Sequence, residues 1–199
     1  MAFVFQYNNV SKLHLQHQME MRERALSVLK SKESALRVEV KKTKLLFEAT
    51  QKELEIALLQ EEDFLILAGE LDTSLIYLDY VEVETISIAG VKVPKIGKIH
   101  FKRQMFNIFV NPYWFIQGFD FIEKITILKT RLLYLEKRFF LLEKARKKTT
   151  QKVNLYEKNQ IPELLDLIRK IKHFLEDEEN LSKSSQKILK STLESKSFP

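Results

Sequence analysis

Apolar residues recur along this chain at alternating steps of four and three. In the stretch from about Gly118 to Leu193 they are Ile125, Leu128, Leu132, Leu135, Phe139 and Leu142. The series passes through Arg146, Thr149, Val153, Glu157 and Gln160, then becomes apolar again at Leu164, Ile168, Ile171 and Leu175. This is the a/d seam of a coiled coil, where side chains of one helix fill gaps on another. Two successive steps of four, Gln160 to Leu164 to Ile168, form a stutter, which locally unwinds a supercoil. Pro162 is the exception in a run otherwise poor in helix breakers. At 1.5 Å per residue the helix would run for roughly 110 Å. A compact globule of this chain length has a radius of gyration of only about 16 Å. The pattern therefore predicts a rod.

A second seam runs through Leu15, Met19, Arg22, Leu26, Leu29, Glu33, Leu36, Val40, Thr43, Phe47, Thr50, Leu54 and Ala57. Asn8, Asn9 and Ser11 precede it and can cap a helix, because their side chains accept from free N–H groups. The N-terminal helix is expected over 8–68, with Gly69 as its C-terminal stop. Polar residues within the seam weaken the pairing but fix its register. Two long seams separated by a shorter insert pair most economically as an antiparallel hairpin, since neither helix would be stable alone in water.

The insert, 69–117, is of different material. Val81–Ile88 alternates apolar and polar residues, Ala89-Gly90 can turn the chain, and Val91-Lys92-Val93 resumes the alternation before Pro94, which is expected to disrupt the ladder. Ile96–Phe101 alternates once more, so a β-hairpin is expected over about 81–101. Phe106, Phe109, Tyr113, Trp114, Phe115, Phe119 and Phe121 follow. They form a local mini-core, a docking face for a partner, or both together. The predicted fold class is all-α: one elongated domain over 1–199, a long antiparallel two-helix coiled coil. A short β-hairpin and a small helical and aromatic insert occupy the bend, and the C-terminal helix covers 118–195.

Charge and composition narrow the function. The net charge of +6 is spread over both helices, which leans weakly toward acidic partners. Cysteine is absent, so disulfides and thiolate metal sites are excluded, and a cytosolic setting fits. No apolar run approaches the ~18 residues of a membrane span, and the first residues lack the basic and apolar regions of a secretion signal. Gly97-Lys98 is followed by Ile99 and preceded by Lys92 where a phosphate-binding loop requires its first glycine. His14 and His17 share a helix face without a third ligand in the pattern, and carboxylates such as Glu61, Glu62 and Asp63 lie in helical charge patterns rather than a cleft. Acid–base catalysis needs a desolvated pocket to tune a pKa. No catalytic residue, cofactor site or metal site is expected.

Three strings carry a family resemblance. Val28-Leu29-Lys30-Ser31-Lys32-Glu33-Ser34-Ala35-Leu36 resembles the Leu-Leu-Lys-x-Lys-x-x-x-Leu run of the D subunit of V-type and archaeal-type rotary ATPases. Ala89-Gly90-Val91-Lys92-Val93-Pro94 is similar to that family's Gly-Val-x-x-Pro turn. Val153-Asn154, Glu157, Ile161-Pro162 and Ile168 resemble its Val-Asn-x-x-Glu-x-x-x-Ile-Pro signature. The strings keep the family's order and spacing over nearly the whole chain. Two departures stand out: Ala25 occupies a position where the family often has Gly, and Gln151-Lys152 replaces a usual Arg pair.

The resemblance implies a non-catalytic axle, the central-stalk rotor of a V-type ATPase or ATP synthase. Its paired helices would insert into the ring of nucleotide-binding A and B subunits. Rotation would pass between ATP hydrolysis or synthesis there and proton or sodium translocation across the membrane. The other implied partners are the small F subunit of the stalk and a rotor-base protein at the membrane ring. Nucleic acid and direct membrane insertion are not implied, and the location would be cytoplasmic, peripheral to the membrane. Candidate subunit-interface residues are Gly90, Val91 and Pro94 in the hairpin, Trp114 in the aromatic run, and Val153, Asn154 and Glu157 in the C-terminal string. Beyond Leu175 the segment Glu176–Pro199 would have no partner in its own chain, so it is expected to fray alone. Lys183, Lys187 and Lys190 there would face acidic loops of the ring. Two other classes compete: a cytosolic coiled-coil scaffold or prefoldin-like chaperone subunit, and a membrane-curving helical dimer with a basic face.

Overall fold

The computed structural model describes residues 5–60, 75–104 and 114–196, with side chains through 193. Its elements are helix α1 (Asn9–Gln60), strands β1 (Ile76–Ile88) and β2 (Val91–Arg103), helix α2 (Phe115–Asn154), a π-helical segment (Leu155–Gln160) and helix α3 (Ile161–Lys196). The expected end of the first helix at Ala68–Gly69, the carboxylates Glu61–Asp63 and the rings of Phe106, Phe109 and Tyr113 lie outside the described residues. Among the described residues the fold is all-α helix pairing with one antiparallel hairpin. It divides into two compact units, Met1–Ser31 with Thr149–Pro199, and Lys32–Lys148.

In the first unit, α1 begins where its cap predicts. The Ser11 N–H donates to Asn8 Oδ1 at 2.7 Å, and the Ser11 hydroxyl accepts from the Gln6 N–H at 3.2 Å. Leu15 is buried with Leu164 and Ile171, and Phe5, Met19, Leu167, Ile168 and Leu175 pack around them. The pairing is antiparallel: moving up α1, Arg22 donates to Gln160 at 2.8 Å and Lys30 meets Glu157 at 2.7 Å. Arg22 and Gln160 are both polar seam positions, and they pair with each other. Seam packing ends at Leu175, where Tyr7 and Phe174 place their rings 4.8 Å apart. From Glu176 to Leu193 every side chain is exposed. The helix nevertheless continues, since no Gly or Pro interrupts it.

The stutter expected from Gln160 to Ile168 falls on regular α-helix in α3, and the change of winding lies just before it. Leu155–Gln160 is a π-helix, and the Ile161 N–H bonds to the Tyr156 carbonyl, five residues back. A π turn absorbs an extra residue, so the seam regains its facing after the break in spacing. Pro162 supplies a second reason. It has no N–H to donate, and its ring clashes with the carbonyl four residues earlier in an α-helix, which favours a wider turn there.

In the second unit the helix seam continues at Leu36 with Leu142, and at Ala57 with Ile125 and Leu128. Glu33 and Arg146, polar in both seams, attract each other electrostatically, and Arg146 is also held by two bonds to Glu143, at 2.8 and 2.6 Å. That bonding keeps the Glu143 carboxyl below its usual pKa. Thr43 is fully buried in the seam, and its hydroxyl has no partner among the described residues.

The hairpin is longer than the alternation alone predicts, running from Ile76 to Arg103. Pro94 does not break β2 but pairs with Thr85 inside it. Counting from Ile88–Val91 at the two-residue turn, hydrogen-bonded and non-bonded pairs alternate, which puts Thr85–Pro94 at a non-bonded pair. An N–H there would point away from the partner strand, so a proline removes nothing from the ladder.

Candidate subunit interface

The hairpin turns at Ala89-Gly90. Ala89 and Gly90 both have positive φ, 49° and 76°, the backbone of a type I′ turn, whose twist matches that of the strands it joins. The turn folds back onto the helices. Val93 is fully buried against Leu36 and Leu142, with Ile86, Ile88, Ala89 and Val91 packed around it. Gly90 is exposed, and a Cβ there would lie 3.4 Å from Lys32 Nζ, so its conformation and not a lack of space calls for glycine. Gly90→Val is expected to destabilise the unit by about 1–2 kcal/mol through the left-handed backbone alone. Urea denaturation of the variant against wild type checks this.

Further along, Glu82 folds over Gly97, where a Cβ would come within 3.1 Å of the Glu82 Cβ. Its carboxylate accepts from the Lys98 N–H at 3.2 Å and lies 3.1 Å from His100 Nε2. The His100 contact, then the Lys98 N–H, keeps the Glu82 carboxyl below its usual pKa. His100 stacks on Tyr80 at 4.3 Å. Gly97-Lys98 thus sits inside a strand and not in a loop before a helix, the context a phosphate-binding loop needs. Tyr77, Leu78, Tyr80 and Val83 on β1 stay exposed. Near its turn the hairpin packs against its own helices, while toward its base β1 leaves aromatic and apolar side chains exposed on both faces.

At the hairpin base, Ile76, Phe115 and Phe119 are buried together, with Leu75, Trp114 and Ile122 against them. The described rings thus form a mini-core, and Trp114 is half-buried in it, edge-on to Phe115 at 4.7 Å. Arg103 fastens the end of β2 to the start of α2, donating to Glu123 at 2.8 Å and Asp120 at 2.7 Å. Sequence reasoning missed this clamp because its three members lie off both seams. It likewise missed Arg138, which bonds Glu39 at 3.2 Å.

The remaining candidates divide between core and surface. Val153 is buried, Asn154 is exposed, and Glu157 is on the surface beside Lys30. Lys183, Lys187 and Lys190 share one exposed face of α3. Lys183 is paired with Glu179 at 2.7 Å, a bond that lowers the Glu179 pKa, while Lys187 and Lys190 have no ion pair among the described residues. His14 lies 2.7 Å from the Gln18 amide. Among the described residues no three His, Asp or Glu side chains converge as metal ligands, and no helix is long and apolar enough to cross a membrane.

The family model for the ATP synthase D subunit matches residues 11–191, a span that contains both units' seams, the hairpin and all ten interface candidates. The chain belongs to the ATP synthase D-subunit family. Among relatives, it is 31% identical over 120 residues to the V-type ATP synthase D subunit of Borreliella burgdorferi, covering 60% of this chain and 59% of that protein. It is 29% identical over 100 residues to the protein of the same name from Chlamydia caviae, covering 50% of this chain and 48% of the relative. The Chlamydia trachomatis protein gives 27% over 100 residues, with 50% and 49% covered. The match thus spans between about half and 59% of the length of these relatives. In this member of the D-subunit family, the three family-like strings fall on α1, at a type I′ turn and around the π-helical segment.

Proposed function

We propose that this chain is the non-catalytic central-stalk rotor of a V-type ATPase, carrying rotation between ATP hydrolysis or synthesis in a ring of A and B subunits and proton or sodium translocation. The observation that carries the reading is the family match over 11–191, and the packing suits it. In each unit two antiparallel helices interlock along a seam, and a pair of this kind resists twisting better than a single helix. The stalk's F subunit and a rotor-base protein complete the set of partners, at the cytoplasmic side and peripheral to the membrane. The exposed side chains of the hairpin offer surface to stalk partners, and so, separately, do Asn154 and Glu157 in the other unit. The bare helix beyond Leu175, with Leu181, Ile188, Leu189 and Leu193 exposed, suits enclosure by the ring. Lys183, Lys187 and Lys190 would meet acidic loops there, a contact weakened by salt.

Co-purification of the tagged full chain tests this, read against flotation with anionic liposomes. Recovery of nucleotide-binding subunits supports the rotor. Flotation without them contradicts it. Truncation before Leu181 is expected to leave the seam of the first unit intact, because its packing ends at Leu175, while reducing ATP-driven transport of the reconstituted complex at least severalfold. Unchanged transport would show the tip to be dispensable.

A further inference from the structure

Within the second unit a cavity of about 250 Å³ lies between β2 and the helices, lined on the strand by Pro94, Lys95 and Ile96 and on α2 by Arg131, Tyr134 and Arg138. Its charge is one-sided. Lys95, Arg131 and Arg138 contribute cations, and no lining residue is acidic. Two of these cations already have a carboxylate partner outside the lining: Glu39 meets Arg138 at 3.2 Å, and Glu84 lies 3.8 Å from Lys95 Nζ. Arg131 has no ion pair among the described residues. Arg138 Nε is fully buried and has no hydrogen-bond acceptor among the described residues. Seven residues apart, Arg131 and Arg138 fall on the same face of α2. The apolar walls from Pro94, Ile96 and Leu135 reduce the screening of these charges by solvent.

We propose that this cavity binds a small tetrahedral oxyanion of the phosphate class, bridging Lys95 of the hairpin to Arg131 and Arg138 of α2. Guanidinium forks match the spacing of oxyanion oxygens, and charge-assisted bonds of this kind are the stronger ones. The ion ties β2 to α2 near the docked turn. The inference is independent of the rotor reading, since it concerns only groups inside one unit.

Calorimetric titration of the full chain with sodium phosphate, against sodium chloride at equal ionic strength, tests it. Saturable one-site binding is expected with phosphate alone, together with slowed amide exchange at Lys95 and Ile96. Arg131→Gln and Arg138→Gln should each weaken binding at least tenfold, while Lys129→Gln, on the same helix but outside the cavity, should leave it unchanged. Arg131 is exposed, so its variant folds and decides the matter alone if Arg138→Gln does not. Absence of saturable phosphate binding, or equal affinity in the wild type and Arg131→Gln, overturns the proposal.

Discussion

Leu142→Ala is expected to lower the stability of the Lys32–Lys148 unit by about 2–5 kcal/mol, the range for truncating a buried leucine. Leu142 has no exposed surface and sits where three elements meet: α2 carries it, α1 brings Leu36, and β2 brings Val93. The cost includes a cavity term as well as lost transfer energy, because the gap closes only if its walls move. Here the walls are two helix backbones and a hairpin pinned at its far end by Arg103 to Asp120 and Glu123. Collapse is therefore restricted, and the upper half of the range is the expectation. Leu133 on the same helix is 65% exposed, and Leu133→Ala should change stability by no more than about 0.5 kcal/mol. Urea unfolding of both variants checks the contrast. Equal midpoints would mean that the hairpin does not cover Leu142.

The second large effect concerns the hairpin itself. Replacing residues 81–101 by a short linker is expected to keep most of the helical circular dichroism at low temperature, because the seam pairs Ala57–Leu128 and Leu15–Leu164 lie outside the hairpin. Stability should nevertheless fall. Val93 is fully buried and Val91, Ile86 and Ile88 partly so, and full burial of such a side chain is worth about 1.5–3 kcal/mol. The loss is therefore on the order of 5 kcal/mol, discounted for partial burial. The replacement also uncovers one side of Leu36 and Leu142. In the assembled complex the exposed Tyr77, Leu78 and Tyr80 remain only as a stub, and coupling between ATP turnover and transport should weaken. Thermal unfolding and coupled transport assays read the two effects separately. An unchanged melting temperature would show that the docked face contributes nothing, and unchanged coupling that the exposed side chains have no partner.

Much of this arrangement is legible in the sequence. The steps of four and three name Leu15, Leu36, Leu142, Leu164 and Ile171, all at 2% exposure or less, because helical periodicity selects which side of a helix is covered. The periodicity does not say by what. Leu36 and Leu142 read as ordinary seam positions, yet Val93 completes their core. Alternation along Ile86, Ile88, Val91 and Val93 reveals that the hairpin has a buried face but not which helices it covers. Polar seam residues behave similarly: Arg22 and Gln160 are visible as anomalies, and their hydrogen bond appears only once the antiparallel register is known. The stutter announces a local change in helix winding. The structure places that change at Leu155–Gln160, ahead of the spacing that announces it and next to Pro162. Arg103 and Arg138 carried no signal, since surface arginines are abundant and their acidic partners lie 17 to 99 residues away.

The proposed rotation is tested most directly by watching the chain move. A bead attached to the exposed part of the hairpin of this chain, in a complex whose nucleotide-binding ring is fixed to a surface, should rotate in one direction when ATP is supplied and stop when it is withdrawn. ATP hydrolysis by the same immobilised complexes with the bead fixed in place would contradict a rotor role.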